Sequence, residues 1–198
     1  MSEILVNTIK KADGTGSITV PAETGTVLTS ASSIPVANLD SAVGITHMTQ
    51  YKLDAVVSTV NDAVITNWEL PDRNYNGIGT AVSVSSGLFS FPVTGTWLAT
   101  SSYTTYSNAG GIVYMGFKHE FSTDSGSSFT TLAGDTLNSA HTSGAHQQGS
   151  VSMILHVSDI SSYRFRIIVQ TSDNTNGRIN GSSTETRSNV VFTRLGDA

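Results

Sequence analysis

His141 and His146 are the side chains of this chain best suited by type and spacing to hold a metal ion. A zinc-type site needs three or four ligands drawn from histidine, cysteine or carboxylate side chains. The chain has no cysteine, and no pair of acidic residues lies beside the two histidines. Both fall in a polar stretch without periodicity. We therefore interpret them as loop residues and predict no metal site.

The segment Asp173–Gly177, with the sequence DNTNG, partly resembles a calcium-binding loop. It lacks the distant bidentate glutamate that closes the calcium loop between two helices. Asp and Asn side chains also stabilise turns by hydrogen bonding to the backbone that follows them. The segment is therefore predicted to be a turn, and no cofactor is expected.

Signatures of catalysis are also missing from the sequence. There is no Gly-x-Ser-x-Gly elbow, no phosphate-binding loop and no His-Glu-x-x-His helix. Glycoside hydrolysis needs two carboxylates held across a cleft. The acidic residues are sparse and fall mostly in predicted turns, at Asp72, Asp124, Asp135 and Asp173. We predict that the protein is not an enzyme; the alternative of another class is a small surface-polysaccharide depolymerase whose carboxylates come from different strands.

The composition restricts the partners of the chain. Its 198 residues include 10 basic and 15 acidic side chains, and its formal net charge is −5. Nucleic acids and anionic membranes are bound through basic patches, so neither is a predicted partner. No apolar run could span a bilayer, and Met1–Asn7 lacks the basic start and apolar stretch of a signal peptide. We expect synthesis in a cytoplasm and no membrane insertion.

The segment Gly87–Trp97, with the sequence GLFSFPVTGTW, is the most informative about fold. Phe89, Phe91 and Val93 alternate along one face of an extended chain, and a proline and a glycine mark a corner. This pattern predicts adjacent antiparallel strands. The same alternation recurs at 112–122, 150–157, 163–169 and 189–195, with shorter strands predicted at 63–68 and 129–132. Eight to ten strands with no helical segment between them predict an all-β sandwich over residues 62–198.

Two segments precede this domain. In residues 1–45, the sequence Asp13–Gly16 (DGTG) predicts a hairpin between 6–9 and 17–20. Residues 46–61 are predicted to connect this segment to the sandwich. A seam of Leu53, Val57, Val60 and Val64 has heptad spacing, which leaves two alternatives open: a short coiled coil or an extended linker.

Residues 62–198 resemble the tumour necrosis factor and complement-type globular head family. The residues that carry the resemblance are Gly87, Phe89, Pro92, Gly95 and Trp97, which match that family's Gly-x-Phe-x-x-Pro-x-x-Gly-x-aromatic corner. Segments 149–155, 163–170 and 190–195 are similar to its later strands. The resemblance implies a ten-stranded jelly roll that assembles as a homotrimer, with the strand opened by Trp97 in the sheet that faces the three-fold axis.

Residues 1–45 are similar to N-terminal segments of marine bacteriophage fibre and appendage proteins, through 6–9, 12–16 and 25–28. Together the two resemblances imply a structural virion protein, such as a tail fibre. Residues 1–45 would be an extended or β anchoring segment that docks on other virion proteins, and residues 62–198 a trimeric knob for host attachment. The alternative in the same class is a capsid decoration or head-fibre protein.

Two sets of candidate residues follow from this expectation. Candidates for the core or trimer interface are Trp97, Tyr103, Met153, Leu155 and Phe192. Long polar loops on a rigid β scaffold often carry recognition. Candidates for contact with a host cell-surface glycan or protein are therefore Asn108, His141, His146, Asp173, Asn176 and Arg178.

Overall fold

The structure, a computed structural model, describes residues 8–10, 17–19, 44–73, 75–109, 112–138 and 144–197. The chain forms two compact units, residues 1–40 and 41–198. In the first unit β1 (Thr8–Lys10) pairs antiparallel with β2 (Ser17–Thr19). Ile9 lies opposite Ile18, which confirms the predicted hairpin pairing.

The second unit is built from strands, and no helix in its described residues could cross a membrane. The strands are β3 (Met48–Leu53), β4 (Val57–Ser58), β5 (Trp68–Glu69), β6 (Ser83–Ser85), β7 (Leu88–Ser90), β8 (Gly95–Ser107), β9 (Tyr114–Ser122), β10 (Thr130–Asn138), β11 (His146–Val157), β12 (Arg164–Thr171), β13 (Gly177–Ile179) and β14 (Asn189–Gly196). The predicted all-β class is confirmed.

Two antiparallel sheets stack to form the sandwich. The five-stranded sheet has the order β10-β9-β12-β7-β6. In the seven-stranded sheet β8 is the organising strand, because it pairs with β11 along one edge and with β14 and β13 end to end along the other. Beyond these, β3 pairs with β14 and with β5, and β4 pairs with β13. The arrangement is a jelly roll.

Aromatic side chains from both sheets fill the space between them. The ring of Phe89 in β7 lies 5.0 Å from that of Phe192 in β14, and Phe165 in β12 lies 5.4 Å from Phe192. These three side chains are fully buried. Aromatic pairs at such separations add to the free energy gained by burying their area. The alternation seen in the sequence thus places one core residue every second position.

The Gly87–Trp97 corner carries the chain from one sheet to the other. Before the corner β7 pairs with β12 in the five-stranded sheet, and after it β8 pairs with β11 and β14. Gly87 has a φ of 78°, and a Cβ there would lie 2.4 Å from the carbonyl oxygen of Ile65. Only glycine fits this position without a shift of the backbone.

Residues 46–61 differ from the predicted connector. β3 and β4 both lie in this segment and belong to the seven-stranded sheet. Thr49, Tyr51 and Leu53 are buried at every second position, whereas Val60 of the heptad seam is 49% exposed. The coiled-coil alternative is therefore wrong for these residues, because pairing with β14 imposes a period of two instead of three and a half.

The sandwich has two distinct ends. At the near end the backbone N–H of Arg194 donates to the carbonyl of His47, so the described chain enters here, beside the start of β8. At the far end the N–H of Gly144 donates to the carbonyl of Ser107, the last residue of β8. Because β8 has 13 residues, the two ends lie about 40 Å apart.

Candidate functional site

The outward side of the seven-stranded sheet carries two rows of uncharged residues across three strands. In one row Ser152 of β11 lies opposite Thr100 of β8, which lies opposite Val191 of β14; in the next row the corresponding residues are Ile154, Leu98 and Thr193. We call these six residues the open face. None is ionisable, and the Ile154 side chain is 66% exposed. Because these six residues carry no charge, another chain could cover the open face, Ile154 included, without desolvating an ion.

The edge next to the open face is long. β11 has 12 residues, and among the described strands it pairs only with β8. Soluble proteins usually protect such an edge with lysine, proline or a bulge. β11 carries no lysine, proline, Asp or Glu. Both the open face and this edge therefore suit contact with a second chain.

The five predicted core or interface residues support the open face from inside. Trp97, Tyr103, Leu155 and Phe192 are each at most 1% exposed, and Met153 is half-buried against them. Their strands alternate, so each points into the sandwich while its neighbours face outward. These residues thus fix the position of the open face.

Tyr103 also joins the two sheets at the open edge of the sandwich. Its hydroxyl lies 3.0 Å from the carbonyl oxygen and 3.1 Å from Oδ2 of Asp135 in β10, to which it donates. Its strand neighbour is Gly149, where a Cβ would come within 2.5 Å of the tyrosine ring. Burial, with the nearby Asp135 carboxylate, raises the pKa of Tyr103, so the hydroxyl stays a donor.

A second polar contact across the core joins His119 of β9 to Ser101 of β8. The Nε2 of His119 and the Oγ of Ser101 are 2.7 Å apart, and both residues are fully buried. Desolvation lowers the pKa of His119 to about 4, so the ring is neutral at pH 7. Sequence reasoning missed this pair, although His119 lies at every second position from Met115 and Phe117 and therefore on the same, core-facing side of β9.

Lys52 was also missed. Its side chain is 1% exposed, and its ammonium contacts Glu69, Asp72 Oδ2 at 3.0 Å and the carbonyl oxygen of Ser182 at 2.9 Å. Burial acts to lower the pKa of Lys52, but the hydrogen bonds and charges of the two carboxylates outweigh it and raise that pKa. Asp72, read from the sequence as a turn residue, thus holds its loop onto β3.

Four predicted recognition residues come together at the far end. The N–H of Asn108 donates to the carbonyl of Asn176 at 3.0 Å. With its amide oxygen turned toward Arg178, the Asn108 side chain accepts from Nε at 3.3 Å and Nη2 at 3.2 Å. Asp173 accepts from the backbone N–H groups of Thr175 and Asn176, at 2.7 and 3.2 Å, and these bonds lower its pKa. The predicted turn at 173–177 is confirmed.

Of the two histidines predicted as recognition residues, one lies among the described residues. His146 opens β11, and its ring lies 5.0 Å from that of Tyr106. His141 lies outside the described residues. Among the described residues no three His, Asp or Glu side chains form a group suited to a metal ion.

Comparison with known proteins identifies the fold. No family model matches the chain, and no curated protein matches it by sequence. Solved structures do match. Eiger TNF from S. frugiperda aligns with a TM-score of 0.55 at 12% identity, over 76% of this chain and 93% of that one. Murine APRIL, solved at pH 8.0, aligns with a TM-score of 0.53 at 11% identity, over 75% and 98%.

These alignments show that the chain has a TNF-like jelly roll. At 11–12% identity they show the fold alone. The phage resemblance of residues 1–45 finds no support in the comparisons and stays a hypothesis.

Proposed function

We propose that the protein is a homotrimeric, non-catalytic appendage of a bacteriophage virion. Its larger unit would bind a glycan or protein on the host surface through the far end. Residues 1–45 would hold it on other virion proteins. The observation that carries the proposal is the open face, an uncharged and partly apolar surface on an otherwise acidic chain.

The open face supports self-association because covering it buries no charged side chain. The outer side of a solvent-exposed antiparallel sheet is polar, and the buried core of an interface between chains is depleted of charged residues. The six residues of the open face have no charge to desolvate, so covering them with another copy costs little. The three-fold order is what the resemblance to TNF-type heads implies.

The positions of the two ends support attachment. The described chain enters the larger unit at the near end, beside His47 and Arg194. The loops that contain Asn108, Asp173 and Asn176 lie at the far end, about 40 Å away. A trimer would therefore present three copies of these loops at the end of the sandwich opposite residues 44–47, and weak contacts would add as avidity.

The first experiment measures the mass of the purified full chain by light scattering. Three copies of the 20.8 kDa chain give about 62 kDa. A mass of one chain at micromolar concentration would overturn the proposal, because neither assembly nor avidity would then be possible.

A matched pair of substitutions separates assembly from attachment. Ile154 on the open face and Val113 at the far end are both 66% exposed. We expect Ile154→Asp to give monomers. Val113→Asp should leave the trimer intact and weaken adsorption of the virion to host cells. Loss of assembly in both variants, or in neither, would contradict the assignment of the two surfaces.

The position in the virion is tested by removing residues 1–40 and by immunogold labelling. The shortened chain should fold but fail to enter particles. Label at the tail supports host attachment. Label over the capsid shell supports the decoration alternative instead, and release of reducing sugar from host polysaccharide would support the depolymerase.

A further inference from the structure

An open groove lies on the outward side of the seven-stranded sheet, farther toward the far end than the open face. Its floor is formed by Ser102 and Thr104 of β8 with Gln148 and Ser150 of β11, and Arg187 stands at its side. This part has a volume of about 350 Å³. Small-molecule sites have volumes of about 300–1,000 Å³, so the groove has room for a sugar ring or two.

The groove continues past Arg187 toward the far end. There it is lined by Asn180, Thr186 and His146, and the volume of this second part is about 630 Å³. The His146 ring packs against Tyr106, with centroids 5.0 Å apart. Neither part is lined by an Asp or Glu residue, although the chain as a whole has 15 acidic and 10 basic residues. No acidic side chain therefore lines the groove, although the chain as a whole is acidic.

Arg187 supplies the positive charge, and its guanidinium is already oriented. Its Nε and Nη2 both lie 3.0 Å from Oε2 of Glu185, and its Nη1 lies 3.4 Å from Oδ1 of Asn180. Glu185 does not line the groove. A guanidinium has five N–H groups, so donors remain for a second acceptor. Because exposed ion pairs contribute little to stability, a second carboxylate can compete with Glu185.

The other groups of the groove match a ligand rich in hydroxyl groups. Ser102 and Ser150 carry hydroxyls that both donate and accept, and the Gln148 amide does the same. The His146–Tyr106 pair offers an aromatic surface for the apolar face of a ring. A carboxylate for the guanidinium, hydroxyls for the floor and a ring for the aromatic surface together describe an acidic sugar.

We propose that this groove binds a carboxylated saccharide, with the carboxylate on Arg187 and the sugar hydroxyls on Ser102, Gln148 and Ser150. The assignment deepens the proposed function by naming the chemistry of the host receptor, and it rests on that function only for its biological setting. The binding itself does not depend on the protein being part of a virion.

Isothermal titration of the full chain tests the groove with two acidic probes. The uronate probe is trigalacturonate, compared with its methyl ester, and the sialate probe is 3′-sialyllactose, compared with lactose. We expect at least one acid to bind and its neutral counterpart to bind at least tenfold more weakly. Arg187→Gln should weaken binding of the acid at least tenfold. Arg164→Gln is the control, because Arg164 lies at the near end and donates only to backbone carbonyls.

A second variant protects the test against misfolding. Ser150→Trp fills the groove and keeps Arg187, and thermal unfolding shows whether each variant is folded. Loss of binding in both folded variants supports the proposal. Equal binding of acid and neutral probe, unchanged binding by Arg187→Gln, or no binding of either acid overturns it. Binding that is seen only after Ile154→Asp also overturns it, because another copy then covers the groove.

The outcomes separate this proposal from the proposed function. If the wild-type chain is monomeric but binds the acidic probe, self-assembly is refuted and the saccharide site in the groove is supported. If the protein is a trimer that adsorbs to host cells but binds neither acid, only the proposed saccharide site in the groove is refuted.

Discussion

The outward side of the five-stranded sheet and the open face of the seven-stranded sheet differ in charge. On the five-stranded sheet Arg166 of β12 pairs with Glu120 of β9 at 2.6 Å and lies over the ring of Phe129 at 3.7 Å. Lys118, two positions before Glu120, pairs with Asp62 at 3.0 Å. The open face, which spans β11, β8 and β14 of the seven-stranded sheet, holds only Ser, Thr, Val, Leu and Ile.

This difference indicates which side of the sandwich is made to meet water. Paired charges over an aromatic ring keep a sheet soluble and resist docking, because a partner would have to desolvate them. The six residues of the open face, with the exposed Ile154 among them, present no charge that a partner would have to desolvate. The sandwich therefore has one sheet side suited to solvent and, on the other sheet, an open face suited to being covered by another chain.

The largest effect is expected from placing the same negative charge on the outward side of each sheet in turn. Thr100 on the open face and Thr136 on the outward side of β10 are both half-buried. We expect Thr100→Glu to weaken self-association by at least three orders of magnitude, because it sets like charges against each other in a dry interface. Thr136→Glu should leave it unchanged. Sedimentation equilibrium of the two variants measures the effect.

If both variants assemble like the wild type, the open face is not the contact surface. If both variants are monomeric, the contact extends around the β10–β11 edge onto the five-stranded sheet, and the contrast between the two sides is wrong.

The next test concerns His119, which connects the two sheets from inside. The pKa of His119 is about 4 in the folded chain and about 6.5 when unfolded. Between these values the unfolded chain binds the extra proton, so the free energy of unfolding falls as pH drops from 6.5 to 4. The loss should reach about 3 kcal/mol. Urea unfolding across this range, compared with His119→Gln, isolates it.

Other groups titrate equally in both proteins, so the difference between the two curves belongs to His119. No charged group contributes to its shift, which comes from desolvation alone. Parallel curves for the wild type and His119→Gln would show that the ring is hydrated and does not act as a dry link between the sheets.

Sequence reasoning found the elements that repeat and missed those that depend on a distant partner. Phe89 and Phe165 lie in strands whose alternation is visible locally, and both proved to be core. Residues 48–53 were missed because their pairing partner, β14, lies more than 130 positions away. In the local sequence the spacing from Leu53 to Val64 resembles a heptad as much as a strand.

The candidate site shows the same limit. The residues of the open face are ordinary Ser, Thr and Val in the sequence, and only the register of β8, β11 and β14 shows that they form one uncharged surface. The groove beside Arg187 is likewise assembled from three distant segments. His119 could have been found from its parity with Phe117, but its serine partner lies on another strand.

A smaller effect is expected from the charged side of the sandwich. Glu120 is 8% exposed and accepts from Arg166, so Glu120→Gln leaves the arginine without a counter-charge in a half-buried position. We expect a loss of about 2 kcal/mol in the free energy of unfolding, between the values for exposed and buried pairs. Self-association should not change. The double variant Glu120→Gln, Arg166→Gln should recover part of the loss.

Unfolding in urea measures this loss, and Lys118→Gln is the control. Lys118 belongs to an exposed pair with Asp62 and should cost less than about 1 kcal/mol. If Glu120→Gln proves neutral, the ion pair over Phe129 does not stabilise this sheet, and its role is solubility alone.

The smallest effect concerns the edge where the two sides meet. The side chain of Tyr103, in the seven-stranded sheet, donates a hydrogen bond to Asp135 in the five-stranded sheet, and its ring lies 4.4 Å from that of Phe117. Tyr103→Phe keeps the ring and removes the hydrogen bond, so we expect a loss of about 1 kcal/mol.

The matched control is Tyr163→Phe, because the Tyr163 hydroxyl also makes one hydrogen bond, to Ser158 at 2.9 Å, but at an exposed position. It should cost less than Tyr103→Phe when both are unfolded in urea. If the two losses are equal, packing against Phe117 alone closes the edge. If Tyr103→Phe also weakens assembly while its unfolding is unchanged, the hydroxyl orders the β10–β11 edge for a neighbouring copy, and the open face then extends to that edge.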